Sequence, residues 1–294
     1  MRTAWIPLLA LTVTLPLAAQ NFDNVEITST HVAGNVHMLQ GRGGNIGVSA
    51  GRDGMLIIDD QFAPLADKIK AALRDIGRGK LEYVLNTHFH GDHAGGNSIF
   101  GLEALIIAHS NVRARLSTEQ KGRNGRVTPP SPPEALPVIT FDEGLSIHFN
   151  GEEIQMTHVA KGHTDGDSII YFKDSKVLHM GDHFFGARFP FVDLRAGGTV
   201  QGMATNVEEI LRDYGGVRGL VIIPGHGDLA DIDDLARTSR MLEESLETVK
   251  DGIDSGKSIE QIQKTGLSEE WKDWGSGFIT TEVWIQTVYD SLRH

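Results

Sequence analysis

Asn86-Thr87-His88-Phe89-His90-Gly91-Asp92-His93-Ala94-Gly95-Gly96-Asn97 sets three imidazoles and one carboxylate within six residues, directly behind the apolar run Leu81–Leu85. In an extended segment, side chains two residues apart point the same way, so His88 and His90 can bite one ion together. A turn at Gly91 lets Asp92 and His93 aim elsewhere, toward a second ion. A single tetrahedral metal takes three or four protein ligands. Four donors in one short loop, with more histidine-bearing turns downstream, therefore predict two metals.

Three later turns supply candidates to complete the two sites. Gly162-His163-Thr164 follows the strand-like run 154–159, Gly181-Asp182 follows 177–180, and Gly225-His226-Gly227 follows 220–223 and Pro224. Each puts a ligating side chain just past an apolar strand and beside glycine. Strand ends form the crevice where sites are built in layered α/β folds, and glycines let the backbone turn sharply there. Any one of these turns reads equally well as an ordinary polar turn. All of them together, in this order, do not.

The composition narrows the chemistry. Among 294 residues, Lys+Arg number 27 against Asp+Glu 39, a net charge of −12. So acidic a surface repels phosphate backbones, and no nucleic-acid partner is expected. With no cysteine and 13 histidines, disulfides, thiolate ligands and thiol nucleophiles are excluded, and His with carboxylates is the available transition-metal donor set. No G-x-S-x-G occurs, so no serine nucleophile is proposed.

Residues 1–20 read as a secretory signal: Arg2, an uncharged run over 4–17, and small Ala18-Ala19 before Gln20. The stretch is short and interrupted by Pro7 and Pro16, a poor membrane span. The expectation is a signal peptide over 1–19, one domain over 20–294, and a periplasmic or secreted protein with no stable membrane insertion after cleavage. Nothing in the sequence bears on oligomeric state.

Apolar runs at 35–40, 44–49, 55–59, 81–85, 105–108 and 138–141 predict a first batch of strands, and those at 154–159, 168–172, 177–180 and 220–223 a second. Helical spacing marks 65–76, 203–214, 235–250, 259–264 and 281–292. Strands in two batches with helices between and after them predict an α/β layered protein. The segment 118–137, rich in proline and carrying Lys121, Arg123 and Arg126, is either a surface insertion or a lid over a site. Gly41–Gly47 misses the G-x-G-x-x-G spacing, with Ile46 where the third glycine belongs, and reads as turn glycines.

His88-x-His90-x-Asp92-His93, then His163, Asp182 and His226, with Asp59 closing the run 55–59, resembles the motif series of the metallo-β-lactamase superfamily over about residues 35–228. It is also similar to the exported lactamase-like hydrolases. The resemblance implies a four-layer αββα sandwich, two mixed sheets flanked by helices. It implies that His88, His90 and His163 hold one zinc and that Asp92, His93 and His226 hold a second. Asp182 would bridge the two, and Asp59 would orient the histidine loop by hydrogen bonds. Two Zn²⁺ per chain suit this donor set, which Fe or Mn also tolerate. A water between two such cations supplies hydroxide near neutral pH, and Asp92 is expected to orient it and carry a proton.

The activity so implied is exported hydrolysis of an ester, thioester, lactone or lactam bond in a small molecule. The alternatives are a true metallo-β-lactamase, a small-molecule phosphodiesterase and a mononuclear-iron dioxygenase. The zinc β-lactamases with a cysteine ligand carry it where this chain has Asp182, and commonly a lysine where it has Phe185; the subclass using His at the position of His93 normally lacks the bridging Asp. The shell is closer to glyoxalase-type and lactonase-type hydrolases. A binding module with structural metals would need closed, four-coordinate sites. Arg188 and Arg195 are candidates to anchor an acidic substrate, and Phe189, within Phe189-Pro190-Phe191, to meet its apolar portion. Phe89 is expected in the core. The aromatics of the C-terminal stretch, Trp271, Trp274, Phe278, Trp284 and Tyr289, are expected to clamp the last helix.

Overall fold

The computed structural model describes residues 22–121 and 127–293. The segment read as a signal peptide lies outside them.

A strand buried on both faces must read as a continuous apolar run, and Gly54–Ile58 (GMLII) is fully buried. Alternation splits its side chains between two cores: Leu56 and Ile58 enter one, Met55 and Ile57 another. The strand lies in the middle of a seven-stranded sheet, ordered Thr28–Ala33, Val36–Gln40, Ile46–Gly51, Gly54–Ile58, Leu81–Leu85, Leu105–His109, Ile139–Phe141. The first four strands pair antiparallel and the last three join in parallel. The second sheet runs Gly144–Phe149, Glu152–His158, Ser168–Phe172, Val177–His179, Val221–Ile223.

Between the sheets, Val36, Met38, Leu56 and Ile58 pack with Ile154, Met156, Ile170 and Phe172. The far face of the first sheet is covered by the helix Ala66–Ile76, through Ile69 and Leu73 at i, i+4 spacing. That of the second sheet is covered by Val200–Tyr214, Ile232–Asp254 and Thr281–Arg293, packed around Met203, Val207, Leu242, Trp284 and Val288. The result is helix, sheet, sheet, helix, two large mixed sheets in four layers.

Several elements depart from the sequence reading, the short helices Gly91–Ala94 and Asn97–Phe100 among them. Thr28–Ala33 is an edge strand that no apolar run announces, because most of its side chains lie in solvent. Gly144–Phe149 is announced by no continuous run either, since only alternate residues, Leu145, Ile147 and Phe149, turn in to the core. Ser110–Leu116 is a short helix, started by His109, whose ring accepts from the Asn111 N–H. The segment 118–137 is also more ordered than a bare loop: Gln120–Lys121 pairs with Val127–Thr128, and Pro133–Ala135 forms a 3-10 turn.

Topology then places the site. Gly54–Ile58 and Leu81–Leu85 run parallel, so Asp59 and the histidine loop emerge at one edge. In the second sheet, two antiparallel steps align Glu152–His158 with Val177–His179, which is parallel to Val221–Ile223. The turns bearing His163, Asp182 and His226 thus leave from C-terminal strand ends on a common side. Backbone and amide bonds draw the two sheets together there: Asn45 donates its N–H to Gly225 O (2.7 Å) and its side-chain amide to Pro224 O (2.9 Å). Among the described residues, no helix is long and apolar enough to cross a membrane.

Candidate metal centre

Asp59 anchors the rim. It is wholly buried with a left-handed backbone, φ 63°, a conformation Asp tolerates better than most residues. Its carboxylate accepts from the Thr87 N–H (2.8 Å), the Thr87 hydroxyl (2.7 Å) and His93 Nδ1 (2.7 Å). One side chain therefore holds both ends of the loop that carries the cluster.

The hydrogen bonds assign the imidazole tautomers. With its proton on Asp59, the Thr87 hydroxyl accepts from His88 Nδ1 (3.0 Å). His163 Nδ1 donates to Phe191 O (2.7 Å), and His90 Nε2 donates to Asp193 Oδ2 (3.1 Å). The opposite nitrogens, His88 Nε2, His163 Nε2 and His90 Nδ1, are left presenting lone pairs to one space, while His93, buried but set between Asp182 and Asp59, is held well above its ordinary value. His90 Nδ1 and His163 Nε2 stand 2.8 Å apart, and buried His88 Nε2 has no hydrogen-bond partner. Lone pairs crowded this closely call for a cation.

Two carboxylates complete the arrangement. Asp182 Oδ1 lies 3.0 Å from His93 Nε2 and 3.5 Å from His226 Nε2; its Oδ2 lies 3.4 Å from His163 Nε2 and 3.9 Å from His88 Nε2. Asp92 Oδ2 is 3.4 Å from His226 Nε2. Three overlapping groups have donor atoms within 4.8 Å of one another: His88, His90 and His163; His88, His93 and Asp182; Asp92, His93 and His226. All seven residues singled out in the sequence come together here, with Asp182 between two trios.

Two glycines read as simple turns have a further use. Gly44 donates its N–H to Asp92 O (3.0 Å), and a Cβ built on it would overlap the His93 ring. A Cβ on Gly225 would overlap Asp182 Oδ1. Close approach of backbone to the cluster requires glycine at both.

Charge divides the metal-free site in two. Burial, outweighing the pull of Asp182, lowers His163 to about 4 and holds His88 well below its ordinary value. Burial opposes protonation of His226 as well, but Asp182 and Asp92 outweigh it and push it to about 9. Asp92, raised by burial, is drawn down to about 2 by His93 and His226. The raised His226 contributes stability fully below its ordinary 6.5 and loses it as pH rises through about 9. The depressed Asp92 contributes above its ordinary 3.8 and loses it as pH falls through about 2. The lowered His163 and His88 lose stability as pH falls below their ordinary 6.5. On these groups metal-free protein should therefore be most stable near pH 6.5, melting lower toward pH 4 and lower again toward pH 9. Metal-loaded protein should behave oppositely over that upper range, since metal competes with protons for the imidazoles. Thermal melts of both forms across pH 5–9 check this.

A cleft of about 730 Å³ opens beside His90, with Phe89, Leu116, Pro129, Phe191 and Arg195 in its walls. The segment 118–137 thus borders the site. A smaller cleft of about 280 Å³ lies past His226, with Phe185, Arg188, Gly227 and Trp274 in its walls; Phe185 stacks on His226 at 5.3 Å and 17°. Two aromatic expectations need correction. Phe189 is only 2% exposed and stacks on Trp284 at 5.6 Å, so it is core and faces no substrate. The apolar run 189–191 turns its last ring outward instead. Phe89 lies half-buried in the cleft wall under the Arg115 guanidinium, 5.2 Å away, because the paired His88 and His90 face the opposite way. His183 turns from the centre, and Asn206 Nδ2 donates to its Nε2 (3.0 Å).

Asp193 escaped the sequence reading. It is one acid in an irregular segment, and nothing local marks it; only the fold brings it to His90. Asp193→Ala should leave His90 free to rotate and lower metal affinity by about 10–100-fold. Because Asp193 Oδ1 also accepts from the Arg195 and Ala196 N–H groups, a stability loss of about 1 kcal/mol should accompany it. Competition with a fluorescent chelator measures the affinity.

Fold and site together define a four-layer α/β protein with a His/Asp cluster at the sheet edges that could hold metal. Residues 31–226 match the model of the metallo-beta-lactamase superfamily, and the chain belongs to that family. It is 24% identical to the metallo-beta-lactamase type 2 of Bacillus cereus over 193 residues, 64% of this chain and 69% of that protein. It is 28% identical to a hydroxyacylglutathione hydrolase of Synechococcus sp. over 121 residues, 41% of each. The DIM-1 metallo-beta-lactamase superposes with a TM-score of 0.60 at 18% identity, covering 74% of this chain and 98% of that one. A stereoselective inverting sec-alkylsulfatase from Pseudomonas sp. gives 0.66 at 16%, covering 90% of this chain and 50% of that one.

Proposed function

We propose that this protein is an exported dinuclear zinc hydrolase that cleaves an ester, thioester, lactone or lactam bond in a small molecule. The observation that carries the reading is the convergence of imidazole lone pairs on Asp182, with buried His88 Nε2 lacking any other partner. His88, His90 and His163 would hold one zinc, Asp92, His93 and His226 the other, and Asp182 would serve both. Two such cations supply Lewis acidity and an activated water. The chain supplies the rest. Asp59, Thr87, Asp193 and the Phe191 carbonyl fix ring orientation, so little reorganisation is left for the reaction. Asp92, the more open of the two carboxylates and ionised down to about pH 2, is placed to orient water and take its proton at Oδ2. Phe185 and Phe191 flank the imidazoles and exclude bulk water.

The thioesterase-like shell is favoured by Phe185, an uncharged ring on His226 where a lactamase would present a cation. Similarity to the Bacillus cereus lactamase supports β-lactam hydrolysis as the second reading. Metal content per chain, followed by turnover of lactones, thioesters, nitrocefin and phosphodiesters, tests both. We expect two zinc ions and faster cleavage of thioester or lactone than of nitrocefin. One metal or none at full activity would overturn the dinuclear reading, and preferred lactam turnover would replace the first by the second. Chelation should abolish turnover while far-UV circular dichroism persists, because the three apolar cores do not depend on the ions. The leader-like residues 1–19 support export. Expression in a Gram-negative host should yield periplasmic protein beginning at Gln20, read by N-terminal sequencing.

A further inference from the structure

We propose that Phe278 is a specificity-determining residue, holding an apolar, aryl-sized part of the substrate against Phe191 on the outer side of the larger cleft; this rests on the hydrolase reading above. Phe278 lies in the part of the chain beyond the family match, which ends at 226. Its aromatic neighbours in that stretch are core residues: Trp271, Trp274 and Trp284 are buried. Phe278 is 89% exposed, the opposite of the clamp its surroundings suggest.

The exposure is not that of a loose tail. Trp274 and Ile279 on either side are buried, and Trp274 O accepts from the Phe189 N–H (3.3 Å). The backbone is thereby pinned with the ring outward. A lone exposed apolar side chain needs no explanation, whereas one continuous with a site does. The Phe278 ring meets Phe191 edge to face, with centroids 6.5 Å apart at 75°. Phe191 in turn lies 5.9 Å from the His90 ring and 5.7 Å from His163, and it lines the larger cleft. On the other side, a Cβ on Gly277 would meet Arg188 Cδ at 3.5 Å, and Arg188 lines the smaller cleft. Phe278 therefore stands at the outer end of an aromatic series that leads through Phe191 in to the imidazoles. Leu116, Pro129, Pro132 and Ala135 add aliphatic wall to the larger cleft. An apolar group seated there leaves water for both rings, and an edge-to-face partner adds to what burial provides.

The test is isothermal titration of zinc-loaded protein with 2-naphthylacetate and with acetate, whose shared carboxylate cancels any contribution from the metals. Wild-type protein should prefer the naphthyl compound. Phe278→Ala should cut that preference by about tenfold, Phe278→Trp should keep it, and the melting temperature should not move, because the ring is exposed. An unchanged preference in Phe278→Ala, or none in the wild type, would overturn the proposal. No turnover enters the measurement, so failure of the hydrolase assays and failure of this subsite are read separately.

Discussion

Asp182→Asn should lower turnover by about three orders of magnitude and leave the fold intact. Asp182 is the one side chain whose two oxygens face both trios, within 3.0–3.9 Å of His93, His226, His163 and His88. Despite burial, His93, His226 and His163 hold its carboxyl well below the ordinary range, so it carries a negative charge among groups that would gather cations. An amide has the same shape with no charge, and it turns an N–H₂ donor toward at least one imidazole trio. Either orientation disfavours a cation there. Loss of a metal's charge stabilisation removes several kcal/mol from the transition state, and about 4 kcal/mol corresponds to roughly 10³ in rate. Metal analysis should show fewer than two ions per chain. Full metal content with full activity in Asp182→Asn would remove Asp182 from the centre.

Asp59→Ala should produce the largest stability loss of any change at the site, about 10 °C in melting temperature for metal-free protein. It strands the Thr87 N–H, the Thr87 hydroxyl and His93 Nδ1 in a dry interior, and buried donors without partners cost about 1–3 kcal/mol each. A β-carbon without a polar tip is also less at ease at φ 63°. Three such donors together cost about 5–6 kcal/mol, which shifts the midpoint of a domain this size by roughly that 10 °C. Asp59→Asn separates scaffold from chemistry. It keeps an acceptor for Thr87 and tolerates the backbone, but offers N–H₂ to His93 Nδ1. His93 must then carry its proton on Nε2, facing Asp182. The midpoint should fall less than in the alanine variant, while metal affinity falls as far. Equal midpoints for the two variants would show that Asp59 holds the loop through its charge and its bond from His93 Nδ1, with nothing gained from the shape and acceptor that asparagine keeps.

The cluster was readable before any coordinates because its chemistry is local. His88, His90, Asp92 and His93 lie in one loop, and strand alternation with a glycine turn already divides them into two pairs. His163, Asp182 and His226 were readable because each follows an apolar run and adjoins a glycine. The inter-sheet core was equally legible, since Leu56 and Ile58 part from Met55 and Ile57 by simple alternation. The edge strand Thr28–Ala33 was not, because its side chains lie mostly in solvent and leave no apolar period.

Residue type and spacing thus determined the donor set and the layered α/β class, both properties of short stretches of chain. The roles of Asp193, the Phe191 carbonyl and Phe278, and the placing of Phe189 in the core, were decided by tertiary structure alone. Each depends on contacts between segments distant along the chain: Asp193 with His90, Phe191 with His163, Phe278 with Phe191, Phe189 with Trp284. Hydrophobicity records how strongly a ring prefers to leave water. It does not record whether the helix that would cover that ring passes over it or stops beside it, and at Phe189 and Phe278 that packing made the difference.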